Sequence, residues 1–204
     1  MKPYLLYIAL VSTLLGGCQS ASTNSSKTTI GQNQAILGVT LKTIEEKDVS
    51  LNIITNNKAS VFIFLCPECP LSKSYSLTLN DFHKKYQKDS IDFYGVFPGT
   101  LYTVDEIKNF QKEYDINFPL LLDTAYTLTY IVNATITPEV FVVDNKGTIL
   151  YSGRIDNWAY EVSKKREVVT EHNLQDALDC IANNTPIAIK KTQAVGCFIE
   201  TEKK

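Results

Sequence analysis

The stretch Cys66-Pro67-Glu68-Cys69-Pro70 limits what this chain can fold into more than any other. It follows the apolar run Ala59-Ser60-Val61-Phe62-Ile63-Phe64-Leu65, which reads as a buried strand. After it, Leu71, Tyr75, Leu79, Phe82 and Tyr86 recur three or four residues apart, the apolar stripe of a helix. The two thiols therefore sit at a strand-to-helix turn, where unpaired backbone N–H groups and the helix dipole favour a thiolate. Pro70 suits the first helical turn, because the N–H it lacks would have had no helical partner there. Glu68, between the thiols, opposes thiolate formation electrostatically. A dithiol in this place can cycle between thiol and disulfide.

The remaining pattern alternates strands with helices. Residues 35–41 and 49–54 read as short strands around the turn Glu45-Glu46-Lys47-Asp48, and residues 91–97 as the next strand. Thr103-Val104-Asp105-Glu106 is a capping box opening a helix with Val104, Ile107, Phe110 and Tyr114 inward. Residues 118–122 read as a buried strand and 126–132 as a short helix. A hairpin, 140–143 with 149–151, turns at Asp144-Asn145-Lys146-Gly147, and a last helix runs over about 171–182. This order predicts an α/β fold, a central sheet flanked by helices on both faces.

The ends of the chain point to export. Lys2 precedes an apolar stretch over residues 4–15 and then Leu15-Gly16-Gly17-Cys18. That is the layout of an export signal over residues 1–17, too short to span a bilayer. With Cys18 directly after it, the segment resembles a bacterial lipoprotein signal, which implies lipidation of Cys18 and an anchored protein. Residues 18–35, rich in Ser, Thr, Asn and Gln, read as a tether. Residues 36–185 form the predicted domain and 186–204 a tail. The net charge of −2 and only two arginines, Arg154 and Arg166, leave no basic stripe for nucleic acid.

Five cysteines stand at 18, 66, 69, 180 and 197. With Cys18 assigned to lipid, the other four allow three pairings. Cys66–Cys69 with Cys180–Cys197 is the simplest, although Cys197 could instead approach the active site. Val195-Gly196-Cys197-Phe198-Ile199 is an apolar island in a Lys-rich tail and is expected to dock. A structural role for Cys197 is the first expectation, a third redox thiol the second. His83, His172 and the cluster Lys164-Lys165-Arg166 read as solvated, and Trp158 and Tyr160 as either groove border or core.

The order of elements, with CxxC at the first strand-to-helix turn and Thr137-Pro138 just before the strand at Val140, resembles the thioredoxin fold. That resemblance implies a cis bond before Pro138, packing of Pro138 opposite the CxxC, and a Thr137 backbone offering hydrogen bonds to a disulfide partner. Thr137-Pro138-Glu139-Val140-Phe141-Val142-Val143-Asp144, then Gly147 and Tyr151-Ser152-Gly153-Arg154-Ile155-Asp156, is similar to the redoxin, or peroxiredoxin-like (AhpC/TSA-type), branch. The extra helix and strand over residues 103–123 suit that branch as well.

Three departures matter. Leu65 stands where thioredoxins carry Trp, and Pro67-Glu68 where they carry Gly-Pro. The peroxidase signature of Pro and then Thr or Ser is missing: aligned on Cys69, those places hold Phe62 and Cys66. Sco-type copper carriers use CxxxC with a distant histidine, whereas this chain has CxxC.

The resemblance implies a thiol–disulfide oxidoreductase of the bacterial cell envelope, facing the periplasm. Cys66 would be the nucleophile, Cys69 the resolving thiol, Thr137 and Pro138 the partner groove, and Arg154 and Cys197 accessories. Expected partners are a disulfide-containing protein substrate, a membrane electron donor and, through the lipid, the membrane. No metal or cofactor is expected. A thiol peroxidase and a copper carrier are the alternatives.

Overall fold

The computed structural model describes residues 31–201; the expected signal, Cys18 and the tether up to residue 30 lie outside them. Seven strands form the main sheet in the order β2-β1-β5-β4-β3-β7-β8. At its centre β3 (Ala59–Phe64) runs parallel to β4 (Ile91–Pro98) and antiparallel to β7 (Glu139–Asp144). Beyond β4, β5 (Leu120–Asp123) is parallel, and β1 (Thr40–Thr43) and β2 (Asp48–Ser50) close that edge antiparallel. Beyond β7, β8 (Ile149–Gly153) completes the hairpin, whose turn needs the positive φ of Gly147.

Strict alternation divides the core. Val61 and Ile63 of β3 and Val140 and Val142 of β7 face one layer, while Phe62, Phe64, Phe141 and Val143 face the other. The first layer takes the apolar stripes of α2 (Pro70–Tyr86), α3 (Val104–Glu113) and α5 (Asn173–Ala182). The second takes α1 (residues 31–37), the 3-10 turn Leu51–Asn56 and α4 (Thr127–Val132). This is the expected thioredoxin-like α/β fold, with α3 and β5 as the additional helix and strand. The Thr103–Glu106 capping box is formed in both directions.

Four expectations need correction. Residues 35–41 are not one strand: Ile36 and Val39, three apart, are both buried, and α1 runs to residue 37 before β1 begins. The helix also reaches into the segment read as tether, where Gln32 Nε2 donates to the Ile131 carbonyl (2.8 Å) and Asn33 Nδ2 to Thr148 Oγ1 (2.9 Å). Residues 49–54 are a strand only to Ser50, because Leu51 and Ile54 bury together at a helical spacing while Ile53 is exposed. The basic cluster is exposed, as expected, and its Lys164–Lys165 forms β10, pairing with β9 (Ala159–Glu161). Lys165 Nζ lies 4.2 Å from the centre of the Trp158 ring, and that ring meets Tyr75 edge-on.

His83 is the fourth. It is half-buried against Phe93 and Phe118, ring centres 5.7 and 6.0 Å away, with Nδ1 buried and unpaired among the described residues. Burial pushes its pKa down. His83 lies just outside the apolar stripe of α2, yet Phe93 of β4 and Phe118 reach far enough to cover it. His172 is exposed, as expected, and precedes α5.

The tail runs against the domain. Residues 190–192 follow the open edge of β8, with Ser152 N–H donating to the Lys190 carbonyl and Thr192 N–H to that of Ser152. The chain then crosses to β6 (Ile136–Thr137) and pairs with it as β11 (Cys197–Phe198).

Candidate functional site

β3 ends at Phe64, and its next side chain, Leu65, is still buried, so Cys66 is the first position that emerges from the core. It is half-buried, and its N–H donates to Ser72 Oγ (3.3 Å). Cys69 closes the turn with its N–H on the Cys66 carbonyl (3.1 Å) and serves as N-cap of α2, with Pro70 in the first turn. No side-chain oxygen caps this helix. The backbone N–H groups of Ser72 and Leu71, at the start of the helix, instead favour a charged Cys69 sulfur. Burial, leaving Cys69 1 % exposed, pushes its thiol up; the Cys197 thiol and these backbone donors together outweigh it and hold the thiol below its ordinary range.

Facing the turn is the loop before β7. The Thr137–Pro138 bond is cis, as the resemblance implied. Glu139 braces the loop from behind, its carboxylate accepting from the N–H groups of Thr135 (2.9 Å) and Ile136 (3.3 Å). The Thr137 carbonyl therefore points at the dithiol and accepts from Cys69 Sγ at 3.0 Å. Residues 66, 69 and 137, distant in sequence, line one cleft, whereas Pro138 lines a small neighbouring cavity with Tyr75 and Arg154.

Cys197 does not pair with Cys180. Strand β11 sets Cys197 opposite Thr137, with Thr137 Oγ1 donating to the Cys197 carbonyl (3.3 Å), and its Sγ lies 2.9 Å from Cys69 Sγ. Burial, the Cys69 sulfur and the charges of Cys69 and Cys66 push the Cys197 thiol up to about 12. Cys180 is half-buried on α5 beside Ile187 and Ile189. All four described cysteines are free thiols.

Arg154 is placed elsewhere. Its Nε donates to Asn173 Oδ1 (2.7 Å) and its Nη2 pairs with Glu171 (2.6 Å), which ties β8 to the start of α5. Trp158 packs on Tyr75 and not on the dithiol. Sequence reasoning missed Tyr102, whose hydroxyl lies 3.1 Å from Cys66 Sγ and 3.4 Å from Glu68 Oε2. Burial, then the hydrogen bond and charge of Cys66, then Glu68, keep its phenol well above the usual range. The one available signal was its position just before the Thr103 cap, which fixes where the preceding loop must end.

These groups open on a cleft of about 330 Å³ lined by Cys66, Cys69, Tyr102, Thr137 and Cys197, with the exposed side chains of Leu101 and Phe198 on its rim. Chemically, one reachable sulfur stands beside one buried sulfur on a helix N-terminus. A hydroxyl can donate to the first, and the Thr137 carbonyl accepts from the second.

Comparison with solved structures gives the same fold. A hypothetical protein from Sinorhizobium meliloti superposes with a TM-score of 0.69 at 19% identity, over 79% of this chain and 89% of that one. An uncharacterized conserved protein from Geobacillus kaustophilus gives 0.70 at 21%, over 82% and 92%. Mycobacterium tuberculosis dsbF, solved in mixed oxidized and reduced forms, gives 0.56 at 19%, over 72% and 97%. A search of curated proteins finds no match. The AhpC/TSA family model matches residues 33–152, from the middle of α1 through β7 and most of β8, taking in both CxxC and cis-proline loop. With more than half its length under that match and the thioredoxin-like sheet beneath it, the chain belongs to the AhpC/TSA family.

Proposed function

We propose that this protein is a thiol–disulfide oxidoreductase of the bacterial cell envelope, held to a membrane through lipid on Cys18 and reducing disulfides of exported proteins. The observation that carries the reading is the unequal pair at the head of α2: Cys66 half-exposed in the cleft, Cys69 buried behind it on the Thr137 carbonyl. The Cys66 thiolate attacks one sulfur of a partner disulfide, forming a mixed disulfide and releasing the other sulfur as a thiolate. Cys69, held towards its thiolate, then attacks Cys66 Sγ and the partner leaves reduced. Tyr102 donates to Cys66 whenever that sulfur carries charge. Electrons reach the pair from a membrane donor by the same exchange run backwards.

A peroxidase reading finds less support in the geometry. Phe62 is fully buried in the sheet, where that signature needs proline, and the Arg154 guanidinium is taken up by Glu171 and Asn173.

The test is a redox titration of the full chain in detergent across glutathione ratios, read by thiol-labelling mass spectrometry. A reversible Cys66–Cys69 bond at roughly −270 to −220 mV is expected. Replacing Cys66 by Ser should lower reduction of a protein disulfide by roughly three orders of magnitude. A potential near about −120 mV would make the protein an oxidant instead. Consumption of hydrogen peroxide faster than reduction of any protein disulfide would move it to the peroxidases.

A further inference from the structure

Strand β11 occupies the edge of Thr137 that the thioredoxin-like resemblance assigns to a disulfide partner. Its backbone pairs with β6, the Ile199 N–H donates to the Thr135 carbonyl (2.9 Å), and the Tyr126 hydroxyl to the Glu200 carbonyl (2.9 Å). The approach is close enough to require glycine, since a Cβ at Gly196 would lie 2.0 Å from the Thr137 oxygen. Just past that glycine the strand delivers a cysteine, as a disulfide-bearing partner would. We propose that the tail is a built-in substrate: Cys197 exchanges into the Cys66–Cys69 disulfide, giving a Cys69–Cys197 disulfide that pins β11 over the cleft and leaves Cys66 as a free thiol. This rests on the oxidoreductase reading and adds a closed, self-regulating state to it.

The step balances without any further oxidant. Cys197 Sγ attacks Cys69 Sγ; the new S–S bond forms as the Cys66–Cys69 bond breaks, and its electron pair leaves on Cys66. The proton lost by Cys197 ends on Cys66, whose thiolate receives the Tyr102 hydrogen bond until it is protonated. The disulfide consumed is the one the partner reaction produced, so the number of disulfides is unchanged. The electrostatics favour this order of events. In the reduced protein Cys197 is held as a neutral donor first by burial, then by the Cys69 sulfur 2.9 Å away and the charges of both dithiol cysteines. Once Cys66 and Cys69 are joined, those charges vanish and Cys197 ionises more readily.

The experiment oxidises the full chain with glutathione disulfide, blocks free thiols, digests it without reductant and maps the linked peptides by mass spectrometry. In the wild type, about a tenth or more of the oxidised chains should carry Cys69–Cys197 with Cys66 labelled. Gly196→Ala should reduce that share about tenfold, because the added methyl displaces β11, while Cys66–Cys69 persists. Cys66→Ser should form Cys69–Cys197 on oxidation. Finding no Cys69–Cys197 peptide in the wild type overturns the inference even if Cys66→Ser forms one, because exchange then does not occur. A share that Gly196→Ala leaves unmoved overturns it too. Absence of a Cys66–Cys69 bond in both the wild type and Cys197→Ser would instead bring down the oxidoreductase reading, and this inference with it.

Discussion

Two segments meet at Thr137, the first turn of α2 and strand β11, and they are held there by different physics. The turn of α2 is rooted in the core: Leu71, Ser72 and Leu79 are fully buried and Tyr75 nearly so, all under the main sheet. Strand β11 pairs over two residues, and its Phe198 side chain is 80 % exposed. A backbone hydrogen bond contributes about 0.5–1.5 kcal/mol net, while ordering a residue costs about 1–2 kcal/mol. A strand that buries so little therefore lies near balance, whereas α2 shares the stability of the whole domain. The site is thus divided: Cys69 is a fixed half, Cys197 a detachable one.

The largest test of that division is in the core. Leu79→Ala, at a fully buried position of the α2 stripe, should destabilise the domain by about 2–5 kcal/mol in denaturant melts. The dithiol should be lost in the same transition as the sheet. A dithiol that became reactive well before the sheet unfolded would show that α2 is not rooted as described.

Removing residues 196–204 should do the reverse. Stability should change by about 1 kcal/mol or less, since the hydrogen bonds lost and the chain freed nearly cancel. Labelling of Cys69 should meanwhile accelerate several-fold, because β11 and Cys197 cover it. A stability loss as large as that of Leu79→Ala would place β11 in the cooperative core and erase the distinction.

That difference also decides what could be read from the residues alone. The fixed half is legible because its signals are local: alternation along β3, the stripe of α2 and Thr-Pro ahead of β7 mark the turn and the loop where Cys66, Cys69 and Thr137 line one cleft. The capping box of α3 and the hairpin at Gly147 were legible for the same reason. The tail shows an apolar island, which says that it docks but leaves open whether Cys197 meets Cys180 or the active site. Pairing of Cys197 with Thr137 spans 60 positions and depends on a strand edge left open by the rest of the fold. Tyr102 escaped in the same way, since its hydroxyl meets Cys66 across 36 positions. At the other end, Leu51 and Ile54 were misread because a few apolar residues fit either period until the burial of Ile54 over Ile53 decides between them.

A finer probe asks what the detachable half does to the fixed half. In Cys197→Ala the donor to the Cys69 sulfur is gone and burial weighs more heavily, so the Cys69 thiolate should appear at higher pH by ultraviolet absorbance. Stability should respond with opposite sign for the two groups. Cys69, depressed in the fold, contributes stability above the ordinary thiol value of 9.0 that is lost as pH falls through its folded value. Cys197, raised to about 12, contributes stability below 9.0 that is lost as pH rises towards 12. The alanine variant should therefore lose less stability on the alkaline side than the wild type. An unchanged Cys69 titration would mean that the two sulfurs meet without exchanging a hydrogen bond.

The smallest expected effect belongs to the fixed half and lies away from the dithiol, at His83. Its ring is packed between Phe93 and Phe118, and Asp92, which would favour the imidazolium, is outweighed by burial. Because the folded pKa is depressed, this group's contribution is fully present above its unfolded value of 6.5 and is lost as pH falls through the folded value. Mild acid should accordingly lower the melting temperature of the wild type more than that of His83→Gln, which has nothing to protonate there. The Cys69 labelling rate should follow the same transition, since α2 carries both residues and answers to the core as one unit. Were acid to release Cys69 in the His83→Gln variant as readily as in the wild type, the pH response would have to originate in groups other than His83.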